Sequence, residues 1–379
     1  MSELVFGNGR IVTADKVIDN GTVKVTGGRI AAVDDGRAAV SIDLGGDYLL
    51  PGLVELHTDN LENHVQPRPG VMWPILSAVM DHDARIAGAG ITTVLDAIAI
   101  GAVRNNVVRD ELMASMIGGL NTARERGMLR ADHLLHLRAE VSTPDVLEHF
   151  ERFADVAFLK LVSVMDHTPG QRQFVNLEKH TEYYKGKFGM SDAEIAEYLV
   201  NKKAQQERWS APNRRALIEL CHQKNLPLAS HDDATEAHVA EAIEDGIVIA
   251  EFPTTIEAAA ASHSNGLRVL MGGPNVVRGL SHSGNVSALD LARRGHLDIV
   301  SSDYVPSSLM LSIFSLAGGE LGITLPAAVA MASKTPAEAV GLDDRGEIAP
   351  GRRADLVQVG LVEGVPVVRA VWREGRRVA

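Results

Sequence analysis

Aromatic side chains are scarce in this 379-residue chain, at 4%, and there is a single cysteine. One thiol, Cys221, excludes an internal disulfide framework. It sits in the helical pattern Arg215-Ala-Leu-Ile-Glu-Leu-Cys221, where a packed core thiol is expected rather than a nucleophile. Long apolar runs are also missing: none approaches the roughly 20 residues of a membrane span. The first ten residues lack a basic segment followed by an apolar stretch, so no export signal is expected. These absences together point to a cytoplasmic protein with no membrane partner. Excess positive charge is absent too, since 37 Lys and Arg face 49 Asp and Glu for a net charge of −12. That balance argues against a nucleic-acid surface. It leaves an anionic small molecule open, because a site's field is set by nearby groups and bound cations offset local negative charge.

What is present is a large globular chain. Hydrophobic content of 45% with 23% charge can bury one big core with an appendage. Residues 1–48 read as short strands separated by Gly-Gly and Asn-Gly turns. The far C-terminus repeats the pattern in Ala354–Val359 and Val365–Trp372. Strands at both ends suggest that the termini meet in one β-sandwich domain. Between them strand and helix alternate. Strand candidates are 52–57, 91–98, 133–140, 155–165, 226–231, 247–252, 267–271 and 297–302. Helices are expected at 77–87, 110–126, 191–207, 212–224 and 236–244, the third opened by the capping box Ser191-Asp-Ala-Glu194. Eight such units predict an α/β fold: a (β/α)8 TIM-like barrel over 50–344, with 1–49 and 345–379 as the two parts of the β-sandwich. A doubly wound sheet is the rival, but no Gly-x-Gly-x-x-Gly follows the first middle strand.

Active sites of such barrels lie at the strand C-termini, and there the sequence places metal-competent side chains. An apolar run within Leu49–Asn60 ends in His57-Thr-Asp59, and the period of two along a strand puts the outer two side chains on one face. Other apolar runs end at Glu140, His167, His231 and Asp303. Imidazoles mixed with carboxylates suit zinc, manganese or iron, and the set is large enough for two divalent ions. Glu140 is expected to bridge them. Lys160 would serve only if carbamylated, and it lies on the opposite face from His167. Asp303, on the last strand, is the expected proton acceptor for an attacking water. His136 shares a face with Glu140 but lies deeper, as a core histidine would.

Two loops carry anion-binding chemistry. Arg172 follows His167 by five residues in a Pro-Gly segment that opens a long polar stretch, read as a lid or substrate loop. Asn275, Arg278, His282 and Ser283 crowd a glycine-rich turn after the seventh barrel strand, where backbone N–H groups can approach phosphate oxygens.

These residues resemble the amidohydrolase superfamily over essentially the whole chain. Pro51-Gly-Leu-Val-Glu-Leu-His57 and Gly346-Glu-Ile-Ala-Pro-Gly-Arg-Arg-Ala-Asp-Leu356 are its bracketing motifs. Asp59 departs from the pattern, since most members carry a second histidine there. His57-Thr-Asp-Asn60, Val164–Gln173 and Gly273–Asn285 resemble one branch in particular. That resemblance implies a phosphoanhydride hydrolase of phosphonate catabolism, the carbon–phosphorus lyase pathway. Its substrate would be a phosphorylated ribose phosphonate, cut between the α and β phosphorus to release pyrophosphate. Two other readings stand beside it: hydrolysis of a cyclic amide or N-acetyl substrate, and a catalytically silent assembly subunit. The sequence leaves a homo-oligomer open.

Overall fold

Strands supplied by both ends of the chain pair in one sheet. The computed structural model describes residues 3–34, 39–101, 107–169, 191–281 and 284–379. The terminal strands are β1 (Leu4–Val12), β2 (Val17–Thr26), β3 (Arg29–Asp34), β4 (Ile42–Asp43) and β5 (Tyr48–Pro51). The barrel strands are β6 (Leu53–Thr58), β7 (Ile91–Ile100), β8 (Asp132–Glu140), β9 (Leu159–Met165), β10 (Leu228–His231), β11 (Ile249–Glu251), β12 (Arg268–Gly272) and β13 (Ile299–Ser301). Then come β14 (Leu356–Val362), β15 (Val365–Arg373) and β16 (Arg376–Arg377).

The terminal sheet runs β16-β15-β14-β5-β1-β2-β3, with β4 also paired to β1. Its joint is the antiparallel register of Leu356 with Pro51 through Val359 with Tyr48, which ties the C-terminal hairpin to the N-terminal strands. Gly27 and Gly28 turn β2 into β3, both with positive φ, as a tight hairpin requires. One core lies beneath, in which Phe6 meets Trp372 edge to face at 4.9 Å.

β6 to β13 are parallel and follow one another in chain order as one eight-stranded sheet, the (β/α)8 class expected from the alternation. β6 is buried at all six positions, as befits a parallel strand covered on both faces. The chain forms two compact units, and candidate site residues fall in each. One comprises Met1–Asp96, Ser115–Leu134 and Met271–Ala379; the other comprises Ala97–Ala114 and Leu135–Leu270.

One helix replaces two expected ones. Ser191 caps it through the predicted capping box, and it runs Asp192–Gln223 straight through Pro212. Proline removes one ladder bond, but the residues around it are fastened from outside. Ser210 Oγ donates to Asp166 Oδ2 at 2.8 Å, and Asn213 Nδ2 donates to the carbonyls of Val141 and Thr143 at 3.0 and 2.7 Å. Among the described residues no helix is long and apolar enough to cross a membrane.

Candidate metal centre

β8 delivers Glu140 as its last residue, β10 delivers His231 as its last, and His167 lies two residues past β9. The fold brings these three predicted residues together. His167 Nδ1 and Glu140 Oε2 are 2.7 Å apart, and the His167 N–H also donates to Glu140 Oε1 at 3.1 Å. Ser142 Oγ donates to the same oxygen at 2.7 Å. The His167 and His231 rings meet edge on at 5.3 Å. Asp232, which the sequence reading passed over, joins them: one ligand atom each from His167, His231 and Asp232 lies within 4.8 Å of the others.

Electrostatics prepares this group differently at each residue. Burial drives His231 down to about 3, against the pull of Glu251, so its imidazole is neutral and has a lone pair to offer. Burial acts against the charge on His167 as well, yet the Glu140 carboxylate beside it wins and raises it. Glu140 is lowered in spite of its burial, chiefly by the charge on His167.

Beneath lies a row of buried hydrogen bonds. Ser163 Oγ donates to Glu251 Oε2 at 2.6 Å and also bonds His136 Nε2, while His231 Nδ1 sits 3.2 Å from Glu251 Oε2. His136 is thus the buried core histidine expected. Glu251, the last residue of β11 and fully buried, was counted inside a strand but not singled out; its place at a strand end was the available signal. Lys160 is half-buried while Leu161 and Ser163 beyond it are buried, in keeping with an outward face. Arg138, on β8, has its Nε buried with no hydrogen-bond partner among the described residues. Its charge depresses both His167 and His231.

The other compact unit holds His57, Asp59 and Asp303. His57 is buried on β6. Asp303 lies past β13 with φ +55, and its carbonyl accepts from Thr58 Oγ1 at 2.6 Å. Glu55, fully buried, is the fastener the sequence reading missed. Its carboxylate accepts from His57 N at 2.7 Å, from Ser301 Oγ at 2.6 Å, and from Ser302 N. Burial nevertheless raises its pKa, outweighing those donors. The same bonds hold the ends of β6 and β13 side by side, so His57 and Asp303 arrive together. Asp59 differs from expectation: β6 ends at Thr58, and Asp59 is the N-cap of a short helix, Asn60–Val65, with no cap bond from its side chain. The alternation of side chains along a strand therefore does not reach it.

Asn275 spends both ends of its amide on the loop itself, donating to Val286 O at 3.1 Å and accepting from Ala288 N at 3.0 Å. Arg278 is exposed at the end of the helix Gly273–Arg278. Arg172, His282 and Ser283 lie outside the described residues.

A second histidine–carboxylate cluster was not foreseen. Asp96 on β7 holds His82 Nε2 with one oxygen and His133 Nδ1 with the other, each at 2.7 Å. His133 Nε2 is 3.3 Å from Asp83, which also accepts from Arg130 Nη1 and from the N–H groups of Arg130 and Ala131. All four residues are fully buried. Their nitrogen and oxygen atoms answer one another at hydrogen-bond distance as a proton-sharing network, which Asn60 Nδ2 joins at 3.4 Å from His82 Nδ1.

The amidohydrolase family profile matches residues 279–378. The chain is 48% identical over 378 residues to the alpha-D-ribose 1-methylphosphonate 5-triphosphate diphosphatase of Escherichia coli, covering 99% of this chain and 100% of that protein. It is 26% identical to the imidazolonepropionase of Deinococcus deserti, over 97% of this chain and 93% of the other. Among solved structures, N-acetyl-D-glucosamine-6-phosphate deacetylase from Mycobacterium smegmatis superposes with a TM-score of 0.65 over 99% of this chain and 100% of that one. At 17% identity, that likeness is one of fold alone.

Proposed function

The chain belongs to the amidohydrolase family, and on that footing we propose that it is a pyrophosphate-releasing triphosphate hydrolase. Its substrate is alpha-D-ribose 1-methylphosphonate 5-triphosphate, which it converts to the 5-phosphate and pyrophosphate in phosphonate catabolism. The full-length 48% identity to an enzyme of that name carries the reading. The chain segments as 1–49 and 345–379 for the β-domain and 50–344 for the catalytic barrel.

Members of this family work with divalent metal, and the donor set here fits one: a neutral imidazole at His231, a second imidazole at His167 and a carboxylate at Asp232 converge within ligand spacing, and the Glu140 carboxylate lies 2.7 Å from His167. His57, Asp59, Glu140, His167, His231 and Asp303 are the proposed ligands, for two ions with zinc favoured over manganese or iron. Bound there, the ions would supply Lewis-acid polarisation of phosphoryl oxygens and ease the ionisation of water. The protein's own groups do the rest. Asp303 orients the attacking water and accepts its proton at a carboxylate oxygen. Arg172, Arg278 and His282 answer the charge that gathers on the departing pyrophosphate. Asn275 and Ser283 complete the proposed substrate-binding set.

The test is direct. Metal-loaded protein is incubated with the ribose phosphonate triphosphate and, separately, with ATP, and the phosphorus products are followed by NMR. Pyrophosphate from the ribose substrate is expected. Orthophosphate alone, or no turnover of either compound, overturns the assignment.

A further inference from the structure

The long helix Asp192–Gln223 carries a cation that the proposed mechanism does not use. Lys202 is 8% exposed, a rare condition for a lysine unless it is paired. Among the described residues it has no hydrogen-bond or ion-pair partner, and its Nζ stands 6.0 Å from the centre of the Tyr198 ring.

Its direction follows from the helix. Ser210 and Asn213 anchor the helix to Asp166, Val141 and Thr143, just past the C-terminal ends of β8 and β9. At 100° per residue, Lys202 lies within a quarter turn of both, on the same face and about two to three turns toward the N-terminus. It therefore stands on the helix face that is fastened to those strand ends, about 12–17 Å farther along the axis. The electrostatics agrees, since Glu140, Asp166 and Asp145 are the charges that raise Lys202 while burial lowers it. None of these carboxylates forms an ion pair with it. Glu140 is engaged by His167 and Ser142, and Asp166 by Ser210 and the Thr168 N–H.

A charged ammonium on so nearly buried a lysine, near Glu140 and Asp166 carboxylates that bond elsewhere, is costly unless a ligand completes it. We propose that Lys202 is a binding residue for the β and γ phosphates of the substrate, the part that leaves as pyrophosphate. This rests on the triphosphatase reading above. It adds a cation on a helix to those placed on the loops. A lysine is suited to that place, as a compact charge with three donors that follows the phosphate as it departs.

The experiment reads anion binding rather than turnover. Inorganic pyrophosphate and tripolyphosphate are titrated calorimetrically into metal-loaded wild type, Lys202→Gln and Lys202→Arg, with metal content measured for each. Loss of one charge-assisted phosphate contact should weaken binding about 10- to 100-fold in Lys202→Gln. Lys202→Arg should retain most of the affinity, and metal content should stay unchanged in both. With the ribose triphosphate, the loss in Lys202→Gln should appear in KM more than in kcat. Equal affinity of Lys202→Gln and wild type for both anions overturns the proposal. So does a fall in metal content in Lys202→Gln, which would make Lys202 a counter-ion for Glu140. Wild type that binds tripolyphosphate through Lys202 yet releases no pyrophosphate from the sugar substrate would overturn the function and leave this site standing.

Discussion

Replacing Asp96 by Asn tests whether the buried cluster of Asp96, His82, His133 and Asp83 is an electrostatic keystone of its compact unit. Asp96 is held near 2 by His133 and His82 in spite of burial, and His133 is raised to about 9 by Asp96 and Asp83. The wild-type pH dependence follows from these two directions. Stabilisation through His133 is fully present below its ordinary value of 6.5 and is lost as pH rises through about 9. Stabilisation through Asp96 is present above 3.8 and is lost as pH falls toward about 2. A raise of that size in His133 corresponds to about 3–4 kcal/mol at about 1.4 kcal/mol per unit. Asn keeps the shape but offers an amide where an anion stood. The His133 imidazolium is then left with Asp83 alone, at 3.3 Å. Breaking a buried pair in this way costs about 3–5 kcal/mol. Urea unfolding of both proteins at pH 7 and pH 10 measures the loss, and NMR of the histidine rings follows His133 directly. The variant should be less stable at pH 7, and the gap should narrow at pH 10, where wild type has lost the His133 contribution. Stability within about 1 kcal/mol of wild type at pH 7, with His133 still titrating near its wild-type value, would refute the reasoning.

Three further outcomes are expected. Asp303→Asn should cut kcat by about two or more orders of magnitude while metal content is retained; an unchanged kcat removes Asp303 from the proton role. Gly52→Ala would place a Cβ 2.1 Å from Thr92 Oγ1 and 2.7 Å from its Cγ2, costing about 1–3 kcal/mol or more. Thermal melting should show that loss, and Thr92→Ala should restore part of it by removing both atoms. Treatment with a chelator should abolish pyrophosphate release, and adding back a single divalent metal should restore it; full activity in the chelated protein would exclude the metal reading.

Much of the architecture was legible because parallel barrel strands are buried on both faces and so stand out as short apolar runs. Each of the eight expected runs coincides with a strand, from Leu53–Thr58 to Ile299–Ser301. Glu140 and His231 were legible for the same reason, being the polar residues that close such runs. What was harder to read lies where the repeat of two breaks down: Asp232 went unnoticed, and Asp59 and Asp303 were named as ligands without a direction the pattern could give them. Asp59, Asp232 and Asp303 stand beyond the last hydrogen-bonded residue, so alternation along the strand does not say where they point. Glu55 and Ser163 lie within strands, where a polar residue reads as an interruption until its partners across the barrel are known. Lys202 belongs to a helix whose burying partner is a pair of strand ends far off in sequence. Pro212 misled for a local reason: it is a helix breaker by its chemistry, but Ser210 and Asn213 fasten the chain on either side of it.

The strand ends share a backbone device that no apolar pattern announces. After β10 the chain enters Asp232 at φ +57, after β11 it enters Phe252 at φ +53, and after β13 it reaches Asp303 at φ +55. Left-handed backbone costs a side-chain-bearing residue about 1–2 kcal/mol, and aspartate tolerates it better than a phenylalanine does. Phe252 holds the conformation because its neighbours dictate it: its N–H donates to Leu270 O at 2.8 Å, and its ring packs edge on against His231 at 5.5 Å. The reversal at Asp232 is fixed in the same way, by its N–H on Glu251 O at 2.9 Å. At Asp303 the carbonyl is held by Thr58 Oγ1. In each case a bond to the neighbouring strand pins a turn that the free chain would avoid. At Asp232 the result is a carboxylate brought back beside the strand-end histidine, with Oδ2 at 3.5 Å from His231 Nε2. Strain accepted at the backbone thus fixes the direction of these residues, an arrangement expected where a site must be held ready before anything binds.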